Sequence, residues 1–211
     1  DTADYMKVDE MFGGDEALTL LIEKAKEYEI SVILDGVFNH TGDDSVYFNK
    51  YKNYGEGVGA YQDEISPYRK WYQFKDGNNY ESWRGCTNLP NVNETEPTYL
   101  DHILTGEDAI IKKWLRLGAS GWRLDVADEL PDSFIKTLRS EAKSGKEDCV
   151  IIGEVWEDAS NKEAYGIRRR YFTEATLDSV MNYPLKDAII QYIQTGNALN
   201  LLNCIRVLIN H

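Results

Sequence analysis

The sequence is short of cysteine. It has three in 211 residues, Cys86, Cys149 and Cys204, scattered and without a CxxC pair. An odd, dispersed set excludes a disulfide framework and a paired-thiolate zinc site, and fits reduced thiols. Long apolar runs are missing too; nothing approaches the roughly 20 residues that a membrane-spanning helix needs. Positive charge is in deficit, with 23 Lys and Arg against 36 Asp and Glu and a net charge of −13. That balance argues against nucleic acid as a partner, since such binding neutralises phosphates with cations. No secretory leader stands before Asp1, and so abrupt a start leads us to expect further chain upstream. Asn39-His40-Thr41 and Asn93-Glu94-Thr95 match the glycosylation sequon, a pattern short enough to arise by chance.

What is present suits one globular domain with a sizeable core: 42% hydrophobic and 28% charged residues. Apolar spacing predicts a helix over 15–28, with Leu18, Leu21, Ile22 and Ala25 on one face and Asp15 as its cap. Residues 30–37 (ISVILDGV) are β-branched and apolar, as a strand covered on both faces should be. Residues 41–105 follow, rich in Tyr, Asn, Gly and Trp and without sustained periodicity; loops of this length are usually functional. Helical spacing returns over 106–117, and Gly118, Ala119 and Ser120 break it. Residues 121–129 (GWRLDVADE) then alternate as a strand, Trp122, Leu124 and Val126 against Arg123, Asp125 and Ala127. Pro131 opens another helix through Phe134, Ile135 and Leu138. A strand over 149–155 (CVIIGEV), a loop with a short helix over 157–175, a strand over 177–183 (LDSVMNY) and one or two helices over 184–209 complete the pattern.

Strands separated by helices imply βαβ units and a parallel sheet, hence an α/β fold. Polar residues stand at the C-terminal tip of every strand, the arrangement of a (β/α) barrel's active face. A doubly wound sheet would carry a Gly-rich phosphate turn after its first strand, and GVFNHTG does not supply one.

The 121–129 strand places a cation and a carboxylate on one face. A buried ion pair alone would be weak evidence of function. Asp125 and Glu154, however, end strands one βα unit apart, and adjacent strands lie about 4.8 Å apart. Retaining glycosidases hold their two carboxyls about 5–5.5 Å apart. We expect Arg123 to keep Asp125 ionised, and the apolar flanks of Glu154 to raise its pKa as an acid catalyst requires. Gly153 would let substrate or backbone approach. Asp35 and His40 reach the same mouth from the first strand. Tyr47, Tyr61, Trp71, Tyr72, Tyr80 and Trp83 offer rings either to sugar faces or to packing within the loop.

These motifs carry a resemblance. DGVFNH (35–40), GWRLDVADE (121–129) and GEVW (153–156) resemble the first three signature regions of the α-amylase family of glycoside hydrolases, in order. LPNVN (89–93) and DSVMNYP (178–184) resemble segments of its neopullulanase, cyclomaltodextrinase and maltogenic amylase subgroup. The resemblance spans essentially the whole chain. It implies a partial (β/α)8 barrel, about strands 3 to 6, with 41–105 as the long insertion after strand 3. It implies retaining hydrolysis of α-1,4 or α-1,6 glucosidic bonds in maltodextrins, cyclodextrins, pullulan or starch, with an α-glucan oligosaccharide as the partner. Asp125 would be the nucleophile and Glu154 the acid/base. Arg123, His40, Asp35, Asn39, Trp156 and Glu129 would contact or support the substrate. No cofactor is required; calcium is the metal the resemblance allows, at Asn39. A bacterial cytoplasmic protein is expected, with a secreted form as the alternative.

Two departures bear on this expectation. The subgroup usually has Asn where Asp128 stands and a large residue such as Trp near Arg84, so acceptor preference is open. The family's third carboxylate follows a His at the seventh strand. Asn210-His211 resembles that motif only superficially, in what reads as helix. We therefore expect the third acid and four barrel strands to lie outside this chain, and the chain alone to be inactive and to self-associate through uncovered sheet. The competing readings are a non-catalytic amylase-like module serving interaction or transport, which would lack the Asp and Glu retained here, and a barrel using carboxylates as metal ligands.

Overall fold

The computed structural model describes residues 1–172 and 176–209; Asn210 and His211, which include the His-motif lookalike, lie outside the described residues. Four short parallel strands form its sheet: β1 (Ile33–Gly36), β2 (Gly121–Leu124), β3 (Val150–Gly153) and, after a small hairpin, β6 (Ser179–Val180). They lie in the order β1-β2-β3-β6. Register runs Asp35 to Arg123 to Ile152, and Gly36 to Leu124 to Gly153. The tips of all three longer strands therefore finish at one level. A parallel sheet with helices between its strands is the α/β arrangement the sequence implies.

The helices follow the apolar spacing. Helix α1 (Gly14–Glu27) precedes β1, α3 (Ile110–Leu117) leads into β2, α4 (Asp132–Gly145) links β2 to β3, and α5 (Tyr183–Thr195) and α6 (Leu199–Ile209) follow β6. Asp15 is not the cap of α1. Gly13, at φ 91°, takes that place, and Asp15 accepts from the Val8 N–H and pairs with Lys113. Before α3, the short helix α2 (Pro97–Leu100) widens into a π-turn over Asp101–Thr105, so α3 begins later than its spacing suggests. Ile110, Ile111, Trp114, Phe134, Ile135 and Leu138 are buried in one core with Trp122, Leu124 and Ile151 of the sheet.

Three further expectations are corrected. Strand β2 ends at Leu124, because Val126 turns to φ 44° and stops the alternation read over 121–129. Residues 157–175 carry no helix among the described residues; they form an antiparallel hairpin, β4 (Glu163–Ala164) with β5 (Ile167–Arg168). Gly153 opens no space for substrate: a Cβ there would lie 2.5 Å from the Leu177 side chain and 3.1 Å from Ala127.

The 41–105 excursion is held by isolated bridges, among them His40 with Asn91 and Tyr72 with Val92, and by its own rings. Tyr47 packs on Trp71 and Tyr68, and Phe48 on Tyr72 and Tyr80. Tyr47, Trp71 and Tyr72 are buried in the core, and Tyr61 and Tyr80 pack against it. Those five rings serve packing; of the six, Trp83 alone stacks on a strand-tip residue, His40, with centroids 5.5 Å apart. All three cysteines are free thiols. Among the described residues no helix is long and apolar enough to cross a membrane.

Candidate active site

The site is built around one guanidinium. Arg123 rises from β2 between the neighbouring strands and reaches a carboxylate on each. Its Nη1 lies 2.7 Å from Asp35 Oδ1 and 2.7 Å from Asp125 Oδ1, and its Nη2 lies 3.0 Å from Glu154 Oε2. Nε donates to Met181 Sδ at 3.4 Å. Only Arg presents donors in so fixed a fork. Four chain segments thus converge on a single side chain.

The backbone sets the two carboxyls side by side. Asp125 N–H donates to Gly36 O at 3.1 Å, and Glu154 N–H donates to Leu124 O at 2.9 Å. Past Asp125 the chain turns at Val126, whose N–H donates to Glu154 Oε2 at 3.0 Å. Tyr183, at the start of α5, donates its hydroxyl to Glu154 Oε1 at 3.0 Å. The Trp156 indole completes the donors around this carboxylate.

Electrostatics reverse the expected order of the two acids. Burial pushes the Glu154 carboxyl up, but donors from Trp156, Val126, Tyr183 and Arg123 outweigh it and hold the group below the usual range. Asp125 is pushed up by burial and by the carboxylates of Glu154 and Asp35, against the pull of Arg123. The apolar flanks of Glu154 point away along the strand, while its carboxyl sits among four donors; the sequence showed the first and not the second. Arg123 is shared by three carboxylates, so it cannot hold Asp125 alone.

The remaining expected residues divide. His40 is buried, with Nδ1 3.3 Å from Asn39 Oδ1 and Nε2 3.2 Å from Asp1 Oδ1. Burial lowers its pKa, partly offset by Asp125, so the ring is neutral near pH 7. Asn39 ties the β1 tip to the LPNVN loop: its Nδ2 donates to Glu94 Oε1 at 3.1 Å, and its carbonyl accepts from the Val92 N–H. Burial pushes Glu94 up to about 7. Trp156 is half-exposed beneath the Arg84 guanidinium, 4.6 Å from its ring centroid. Glu129 stands past the Val126 turn, its carboxyl raised by burial and Asp128 and eased by Arg84 and Trp83.

Sequence reasoning passed over Tyr183 and Glu94, and met Arg84 only as a departure from the subgroup's pattern. Tyr183 had a signal, an aromatic at a strand's C-terminal end beside Asn182. Glu94 had none, because the loop that carries it is aperiodic.

Among the described residues no three carboxylate, imidazole or thiolate groups converge as ligands for a cation. Asn91 leaves its buried Oδ1 without a partner next to the β1 tip, where its backbone bridges His40.

Residues 1–209 match the model of the family described as "Alpha amylase, catalytic domain". The amylopullulanase of Thermoanaerobacterium thermosulfurigenes is 39% identical over 211 residues, covering 92% of this chain and 11% of its own length. Neopullulanase 2 of Thermoactinomyces vulgaris is 31% identical, covering 93% of this chain and 31% of the relative. Among solved structures, the cyclic alpha-maltosyl-(1→6)-maltose hydrolase of Arthrobacter globiformis superposes with a TM-score of 0.82 at 25% identity, covering 99% of this chain and 44% of that one. The chain thus spans between about a tenth and a third of the length of these curated relatives. On the family match and the shared fold, the chain belongs to the alpha-amylase catalytic-domain family of glycoside hydrolases.

Proposed function

We propose that the protein carrying this chain hydrolyses α-1,4 or α-1,6 glucosidic bonds in maltodextrins, cyclodextrins, pullulan or starch, with retention of configuration. Asp125 is the nucleophile and Glu154 the acid/base. The observation that carries this reading is the pairing of the two carboxyls at adjacent strand tips on one Arg123 guanidinium. Adjacent strands, about 4.8 Å apart, fit the 5–5.5 Å carboxyl spacing of a double displacement.

In the first step Asp125 attacks the anomeric carbon while Glu154 gives its proton to the leaving oxygen. In the second, Glu154 takes a proton from water, which then hydrolyses the glycosyl ester. The productive protonation state is therefore a neutral Glu154 and an ionised Asp125. At rest the surrounding donors lower the Glu154 carboxyl while burial raises that of Asp125, the reverse of the order the first step needs. A sugar whose hydroxyls draw Tyr183 or Arg123 away from Glu154 raises the acid's pKa and moves the proton to the oxygen that needs it. His40, Asp35, Asn39, Trp156 and Glu129 frame the mouth for this exchange.

Asn39 Oδ1 and the unpaired Asn91 Oδ1 are oxygen donors of the kind calcium takes. A calcium ion held there would brace the 41–105 loop against the β1 tip, and the chemistry does not pass through it. The reading is tested on the full-length protein, by following reducing-end release from maltodextrins, pullulan and cyclodextrins. No release from any of them would overturn it.

A further inference from the structure

We propose that Lys162 is a positioning residue: its ammonium fastens the loop that follows Asp125 to the loop that follows Glu154, and so fixes the spacing of the two acids. The inference rests on the function proposed above.

Asp128 stands three places past Asp125, and Glu157 three places past Glu154. The Lys162 ammonium lies between these two carboxylates, 3.0 Å from Asp128 Oδ2 and in contact with Glu157 Oε2. The paired strands have already ended, at Leu124 and Gly153. Just beyond them the loops are joined by Val126 N–H to Glu154 Oε2 at 3.0 Å and by Ala127 N–H to Glu154 O at 3.1 Å. Lys162 is the next tie outward, and it joins the two loops by charge.

An exposed ion pair would carry little weight, because ordering two side chains offsets a screened attraction. Lys162 differs on both counts. Its side chain is only 14% exposed, and its backbone is already held. Arg169 N–H donates to Lys162 O at 2.8 Å across the base of the β4–β5 hairpin. The buried Arg169 guanidinium donates to Asp132 Oδ1 at 2.8 Å and to the carbonyls of Asp128 at 2.6 Å and Leu130 at 2.7 Å. One cation of the hairpin thus pins it to the loop past Asp125. The other reaches from there to the loop past Glu154.

The need for a cation is plain from the charges. Asp128 and Glu157 touch the same ammonium, so they face each other at close range, and like charges repel. Without Lys162 the two loops would push apart. The Val126 turn would then loosen, and Glu154 would lose a donor that orients it. A double displacement holds its carboxyls about 5–5.5 Å apart, and a wider gap suits a different reaction course. That spacing matters most while bonds form and break, so the tie acts on kcat more than on KM.

The test uses steady-state rates of the full-length protein, on whichever of maltodextrin, pullulan or cyclodextrin the parent cleaves fastest. A misplacement of roughly 1 Å costs on the order of 10²-fold in rate. Lys162→Met keeps the stem and removes the charge; it should lower kcat about tenfold and leave KM within about twofold. Lys162→Arg should recover most of that loss. Unfolding midpoints check that each variant is folded, and Lys162→Gln gives the same readout if the Met variant is not. Asp128→Asn supplies the distinguishing result. In the parent it weakens the tie and should lower kcat; in Lys162→Met it removes the repulsion between the loops and should raise kcat. Two residues that only pack would not show such a reversal of sign. A kcat within about twofold of the parent in the folded charge-free variant overturns the inference. So does a loss carried by KM, or an Asp128→Asn effect of one sign in both backgrounds, and each of these leaves the proposed function standing. A parent protein inactive on all three substrates overturns that function and this role of Lys162 together.

Discussion

Glu154 Oε2 accepts the Val126 N–H at 3.0 Å, at the point where the chain leaving β2 turns to φ 44°. A β-branched residue in the left-handed region costs on the order of 1–3 kcal/mol and persists only where its surroundings hold it. Here the acid on one strand holds the turn that follows the nucleophile on the next.

Removing either carboxyl should therefore end turnover in the full-length protein. Asp125→Ala deletes the attacking group. Glu154→Gln keeps the Val126 contact through its amide oxygen but loses the proton, with an expected fall of about 10²–10⁴-fold in kcat. Steady-state rates on maltodextrin check this, and either variant within tenfold of the parent would reject the assignment.

Arg123→Lys should be almost as damaging. A single ammonium cannot reach Asp35, Asp125 and Glu154 at once. With less cation beside it, the already raised Asp125 should rise further, and since its ionised form attacks, the acidic limb of the kcat/KM profile should move to higher pH. An unmoved limb with full turnover would leave Arg123 a packing residue.

Hydrolysis should retain the anomeric configuration. Proton NMR of freshly cleaved substrate should show the α-anomer first, with the β-anomer growing only by mutarotation. The reverse order would mean that a water, not Asp125, attacks.

Asp178 gives a prediction away from the mouth. It accepts from Arg139 at 2.7 Å and the Ile151 N–H at 2.9 Å, pairs with Lys143 at 3.1 Å, and so joins α4 to β3. Burial works against these donors, but they hold its pKa below the ordinary value. A carboxylate depressed in the folded state stabilises it above the unfolded pKa, about 3.9, and that contribution is lost as pH falls through the folded value. Asp178→Asn should cost about 1 kcal/mol at pH 7, a figure kept small by solvent screening, and progressively less below about pH 4. Denaturant curves at both ends of that range check it; a cost independent of pH would mean that the amide fails for another reason.

The 211-residue chain expressed alone should self-associate. Strand β1 has one neighbour, β2, and Ile30 and Ile33 beside its open edge are exposed. Unpaired strand edges with apolar side chains recruit other strands. Sedimentation should find oligomers, and a monomer at high concentration would show that the edge is shielded.

The sequence made the order of elements legible, because buried strands and amphipathic helices leave different periods. It made the charged face of β2 legible too, since two charges on a core strand are costly to desolvate unless partners meet them there. It could not show where β2 stops: Val126 fits a strand by propensity, and only the Glu154 contact turns it. The hairpin was hidden because strands of two residues have no period. The aromatics of 41–105 could not be sorted by type. Tyr47 and Trp83 look alike in sequence, yet one lies in a ring cluster and the other against His40. The pKa order of Asp125 and Glu154 was misread for a similar reason, since donors such as Tyr183 arrive from distant sequence.

One guanidinium faces three carboxylates at the mouth of the sheet. Charge there does not balance, and the surplus carboxylates add to burial in raising the pKa of Asp125. A neutral sugar entering the mouth cannot correct it. A sugar whose ring carbon is turning positive can, for as long as that charge lasts. The mouth is thus a counter-ion whose missing partner exists only partway through a reaction, and its attraction is strongest for the species that lives the shortest time.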